Sequence, residues 1–170
     1  MGKLTEDMDF YGNCTFVGDL TLPQGIVDNG SMKANAAIVH TKIQHRPIVP
    51  YSQASGTDVV AETRVVHIAH ENETVLNVNI FITTAPTGGD KAFTVDVKKS
   101  TAGGAFATIL TGVYTVNSSK ADRTTYAGTL SGTPTLVAGD ALEVVVAVSG
   151  STGSQGQGVH VNVVVSENGV

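Results

Sequence analysis

The sequence predicts an all-β protein: an antiparallel β-sandwich knob, jelly-roll or immunoglobulin-like, behind an extended N-terminal stem. Three observations predict it. Residues 51–170 consist of short runs in which apolar residues alternate with polar ones, the period of a half-buried strand. Clusters of Gly, Asn, Asp and Ser separate those runs at regular intervals, as in sandwiches and barrels. Residues 1–50 lack this grammar and close on Arg46-Pro47-Ile48-Val49-Pro50. The chain therefore divides into an arm, 1–50, and a knob, 51–170.

The knob strands follow in order. Val59 to Ala69 is the first. Leu76, Val78, Ile80 and Ile82 then alternate against Asn77, Asn79, Phe81 and Thr83. Phe93, Val95 and Val97 alternate against Thr94, Asp96 and Lys98. Phe106 to Val116 and Thr124 to Leu130 come next. Leu142, Val144, Val146 and Val148 share one face of a later strand, and Val159, Val161, Val163 and Val165 share one face of the last. About seven strands are expected, with turns at Thr87-Gly88-Gly89-Asp90, Ala102-Gly103-Gly104, Asn117-Ser118-Ser119 and Ala138-Gly139-Asp140. The run Gly150 to Gly158 reads as a flexible hairpin loop or as a loop in close contact with a neighbouring subunit.

Composition narrows the classes. The chain has 170 residues with 25 valines, 21 threonines, 19 glycines and no tryptophan, a usage skewed toward strands. Charged residues are 15%, below the ~25% typical of globular domains. A surface so thinly charged suits an oligomer that buries part of it. Net charge is −5, and Lys98-Lys99 is the only adjacent basic pair, so no nucleic-acid stripe is present. The chain opens on the polar, acidic Met1-Gly2-Lys3-Leu4-Thr5-Glu6-Asp7 rather than a secretory leader. No apolar run approaches the ~20 residues of a membrane span. A soluble protein made in a cytoplasm is expected. Cys14 is the single cysteine and reads as a structural thiol.

Within the arm, Cys14 to Leu22 alternates, with Phe16, Leu20 and Leu22 on one face. Pro23-Gln24-Gly25 turns the chain, and Asp28 or Asn29 can cap a helical turn around Ser31 to Ala34. One short strand cannot bury its own apolar face. Three copies wound about an axis can, and a homotrimer follows.

The arm run Phe16-Val17-Gly18-Asp19-Leu20-Thr21-Leu22-Pro23-Gln24-Gly25-Ile26-Val27, with Ala37-Ile38 and Thr41-Lys42-Ile43-Gln44-His45 after it, resembles the stem of trimeric head fibres and head-decoration (capsid cement) proteins of tailed bacteriophages. Val137-Ala138-Gly139-Asp140-Ala141-Leu142-Glu143-Val144 is similar to a phrase common in phage β-modules. The resemblance implies an intertwined stem, a sandwich knob and a place on the capsid exterior. It implies a trimer interface at Phe16, Leu20, Leu22, Ile26, Ile38 and Ile43, a capsid anchor at Phe10 and Tyr11, and the major capsid protein of a phage head as partner. The alternative is a trimeric host-adhesion tip whose partner is surface glycan.

Chemistry is sparse. His67 and His70 lie three apart in an expected strand and face opposite ways. His40 and His45 flank Lys42, and His160 falls on an outer face. No metal site is expected, and only a threefold axis gathering copies of one histidine offers a route to one. No Gly-x-Ser-x-Gly elbow occurs. Asp58, Glu62, Glu71 and Glu73 cluster in sequence, but their spacing and nearby Arg64 read as a solvated face rather than a glycosidase pair. Tyr114 and Tyr126 are candidates for a weak sugar platform or for plain packing. The expectation is a non-enzymatic protein with no cofactor, no nucleic acid and no membrane.

Overall fold

The computed structural model describes residues 46–167. The ten strands are β1 (Ile48–Ser52), β2 (Glu62–Ile68), β3 (Glu73–Thr84), β4 (Ala92–Ser100), β5 (Ala107–Thr108), β6 (Tyr114–Val116), β7 (Thr124–Gly128), β8 (Thr135–Leu136), β9 (Ala141–Ser149) and β10 (Gln157–Glu167). Among the described residues there is no helix. The first sheet has the order β1-β10-β3-β7, with β8 also on β3. The second has the order β2-β9-β4-β5, with β6 also on β4. All strand pairs are antiparallel.

Alternation explains the core. Val159, Val161, Val163 and Val165 of β10 are fully buried, as are Phe93, Val95 and Val97 of β4. They join Val78, Ile80 and Ile82 of β3 and Leu142, Val144 and Val146 of β9 in one apolar cluster. Each such side chain contributes roughly 1.5–3 kcal/mol on burial.

Four sequence expectations change. Leu76 does not share the inner face of β3, because Val165 pairs with Val75 while Val164 pairs with Asn77. Leu76 is the surplus residue of a β-bulge, which reverses the alternation and sends it outward, 40% exposed, with Val75 inside. Val148 ends β9 beyond the core and is exposed. The run Phe106 to Val116 is not one strand. It breaks into β5 and β6, which both pair with β4. The arm boundary also meets a strand, since β1 takes in Ile48, Val49 and Pro50 and pairs Ile48 with Val164.

The turn before β9 is built around one carboxylate. Asp140 is completely buried. Its Oδ2 accepts from Val137 N at 3.0 Å and from Lys99 Nζ at 2.9 Å, and its Oδ1 accepts from Ala102 N at 3.1 Å. Ala69 N donates to its carbonyl at 2.8 Å. Gly139 supplies the left-handed φ of +90° that the turn requires. The Lys99 ammonium, and then the Val137 amide, hold the Asp140 carboxyl below its ordinary range.

Asp140→Ala removes a buried charge, leaves two backbone amides without their acceptor and leaves Lys99 with only the Thr135 carbonyl. It should lower the unfolding midpoint more than alanine replacement of any exposed aspartate, Asp122 included. A thermal melt of each variant at neutral pH checks this, and equal midpoints would remove Asp140 from its central place.

Candidate functional site

The expected site residues of the arm, Phe10, Tyr11, Phe16, Leu20, Leu22, Ile26, Ile38 and Ile43, lie outside the described residues. So do Cys14, His40, His45 and the helical turn expected near Ser31. The chemistry that can be placed belongs to the knob.

The four carboxylates of 58–73 are not gathered. Glu62 accepts from the Tyr51 hydroxyl at 2.8 Å and pairs with Arg64. The Arg64 guanidinium in turn lies 5.3 Å from the centre of the Tyr51 ring. Burial pushes the Tyr51 hydroxyl up to about 12, and the Tyr51 hydrogen bond lowers the Glu62 carboxyl. This network joins β1 of one sheet to β2 of the other. Glu73 is not on a solvated face: it is buried, and its Oε2 lies 2.7 Å from His67 Nε2. Asp58 takes a hydrogen bond from Gln157 at 3.3 Å. Among the described residues no group of three or more His, Cys, Asp or Glu side chains has metal-holding geometry.

The two tyrosines do meet. Tyr114 and Tyr126 have ring centres 5.6 Å apart, tilted by 31°. Lys120 Nζ lies 5.0 and 5.2 Å from those centres, a cation–π contact that occupies the rings. Both rings pack against the core. On the face of the first sheet away from the core, Phe81 and His160 stack with centres 5.8 Å apart. They line an open hollow of about 510 Å³ with Pro50, Ser52, Thr125 and Asn162.

A more recessed pocket, of about 410 Å³, lies between the connection from β1 to β2, the turn from β3 to β4 and the glycine-rich run from β9 to β10. Its walls carry Asp58, Thr87, Lys91, Ser154, Gln155 and Gln157. The glycine-rich run is pinned rather than loose. Asp90 Oδ1 accepts from Ser151 N at 2.9 Å, Thr152 N at 2.7 Å and Thr152 Oγ1 at 2.8 Å. Thr87 and Ser154 exchange backbone hydrogen bonds at 3.1 and 2.8 Å. The two loops touch backbone to backbone: a Cβ on Gly153, at φ +98°, would lie 1.6 Å from the Gly88 carbonyl oxygen. Only glycine fits there.

One residue of the pocket carries an anomalous atom. Gln155 Nε2 is buried and has no hydrogen-bond partner among the described residues. Leaving such a donor unpaired costs on the order of 1–3 kcal/mol. Sequence reading placed Asp58 among the carboxylates and the two glutamines in a low-complexity loop. Their convergence rests on pairings such as Asp58 with Gln157 and Thr87 with Ser154, which local pattern does not encode. The paired Gly-rich turns at 87–90 and 150–153 are the one signal that hinted at a close approach.

No protein-family model matches this chain, and no curated protein matches it.

Two outcomes follow from the pinned loop. Gly153→Ala forces a Cβ into the Gly88 backbone at a strained φ and should destabilise the fold by about 2–4 kcal/mol, read as a shift in the urea midpoint. The backbone amide of Thr152, then its hydroxyl, lowers the Asp90 carboxyl from 3.8 to about 2. Its stabilisation is therefore complete above pH 3.8 and lost as pH falls toward about 2. Asp90→Asn should flatten the stability curve across that window. An unchanged acid slope would show that the carboxylate does not hold the loop.

Proposed function

We propose that the chain is a non-enzymatic structural protein of a tailed-phage virion. In this reading a β-sandwich knob is carried on a trimerising stem and bound to the outside of the capsid. The chain passes from one sheet to the other between β1 and β2, β2 and β3, β3 and β4, and β6 and β7, and again on either side of β9, which favours the jelly-roll form. The observation that carries the reading is where the apolar surface lies. Ile48, Val60, Val65 and Ile68 are large, apolar and at least half exposed. They sit on or beside β1 and β2, the edge strands of their sheets, directly after the arm in sequence. Such a sector suits burial against another subunit. The arm brings the further apolar residues Phe16, Leu20, Leu22, Ile26, Ile38 and Ile43.

The mechanism is mechanical. A trimer presents three copies of each anchor, Phe10 and Tyr11, and weak contacts reinforce one another once the first is made. A protein that binds the assembled shell but not the ruptured one stabilises the shell by linkage.

The truncation that tests the stem begins at Arg46, because removal through residue 50 would delete part of β1. The truncated chain should melt cooperatively and scatter light as a monomer, while the full chain scatters as a trimer. A truncated chain that stays fully trimeric would move the interface from stem to knob. In the full chain, Phe10→Ala with Tyr11→Ala should leave the trimer intact and abolish co-sedimentation with expanded phage heads purified from cells that make the protein. Retained co-sedimentation would refute the anchor.

A further inference from the structure

We propose that the recessed pocket beside the glycine-rich run is a binding site for a neutral saccharide, taking one sugar residue at the end of a glycan. This goes beyond capsid attachment and does not depend on it. Several groups are left over once the fold has satisfied its own hydrogen bonds. Gln155 Nε2 is a buried donor with no acceptor among the described residues. Of the Asp58 carboxylate, only Oδ1 is engaged, by a long 3.3 Å bond from Gln157. Among the described residues Lys91 makes only a backbone hydrogen bond, to Thr152. All three residues line the same pocket.

Their chemistry selects the ligand. The walls offer a carboxylate acceptor at Asp58, a donor at Lys91, an amide at Gln155, and hydroxyls at Thr87 and Ser154 that both donate and accept. A sugar hydroxyl is itself donor and acceptor, so adjacent hydroxyls on a ring can answer such a mixed set. One anionic and one cationic side chain leave the wall without net charge, which disfavours phosphate or a carboxylate sugar. The volume of about 410 Å³ lies at the small end of the ~300–1,000 Å³ range of ligand pockets. One ring fits that space better than an extended chain. A drug-like ligand would need a largely apolar lining, which these residues do not supply.

The site is also rigid before any ligand arrives. Asp90 clamps Ser151 and Thr152, and the Thr87–Ser154 backbone pair fixes two wall residues. Val59 N donates to Gly156 O at 2.8 Å, which ties the Asp58 wall to the glutamine wall. A preorganised wall loses little entropy on binding.

The experiment uses the full chain on an array of neutral, sialylated and phosphorylated glycans, followed by calorimetry with the terminal monosaccharide of the strongest neutral glycan. Neutral glycans should bind in preference to the charged ones. Asp58→Asn and Gln155→Ala should each weaken the monosaccharide by about tenfold, the worth of one hydrogen bond at such a site. Lys120→Ala, at the tyrosine pair, should leave binding unchanged. Should either pocket variant fail to fold, the wild-type chain still decides the matter. Bound monosaccharide should protect Lys91 from an amine-acetylating reagent and leave Lys120 unprotected, read by mass spectrometry. Absence of binding to any neutral glycan, a preference for charged glycans, unweakened binding by folded pocket variants, or an unprotected Lys91 would each overturn the site. Capsid co-sedimentation is a separate readout, so failure of one leaves the other standing.

Discussion

The pairing of β4 with β9 is held at both ends by an aspartate, and the rest of the knob hangs from it. At one end Asp140 precedes β9 and gathers the Lys99 ammonium of β4, the Val137 amide and the Ala102 amide. At the other end Asp90 precedes β4 and gathers the Ser151 and Thr152 amides that follow β9. Between them nine residues of β4 pair in unbroken register with β9, from Ala92 with Ser149 to Ser100 with Ala141. A one-residue slip would turn Phe93, Val95 and Val97 out of the core. It would also part Asp90 from the Ser151 and Thr152 amides, and Asp140 from Lys99 and the Ala102 amide. Hydrophobic pattern and end contacts therefore specify the same register, and that agreement is what gives a sequence one native state.

The two clamps differ in cost. Asp140 is completely buried, so its charge is tolerable only because an ammonium and two amides surround it. Asp90 acts on a loop, and its benefit is conformational. It holds a run of glycines and small polar residues that would otherwise sample many states. The glycines then permit the backbone approach of Gly153 to Gly88. The polar pocket is a product of this order, because its walls are backbone-paired segments rather than loop tips.

Much of the knob was legible in its period of two. The faces of β4 and β10, and of β9 as far as Val146, read correctly because Phe93, Leu142, Val159 and their partners alternate without interruption. Leu76 read wrongly because a bulge is a property of two strands and leaves no mark in one. Phe106 to Val116 read as one strand because β-propensity does not report that the chain leaves β4 between Thr108 and Tyr114, where Leu110 bridges Leu130 instead. Glu73 read as solvated because its half-buried partner, His67, is known only once β2 and the start of β3 are placed together. The pocket was hidden for the same reason. Asp58 and Gln157 are far apart in sequence and adjacent in space, and no local rule joins them. The proposed stem residues were chosen from pattern and resemblance alone, and they fall outside the described residues.

The β1-to-β2 connection ties these readings together physically. Gln53 pins it, donating from Nε2 to Val60 O at 2.9 Å and accepting at Oε1 from Val60 N at 3.0 Å. The same short stretch presents Asp58 to the polar pocket and Val60 to solvent. It starts from the strand that follows the arm. A subunit contact on the apolar side of this connection would therefore be felt by the wall carrying Asp58 through a few fixed bonds. The proposed trimer would carry three such pockets. Individually weak sugar contacts would then add through effective concentration, so a small and shallowly charged site is sufficient where assembly supplies the multiplicity.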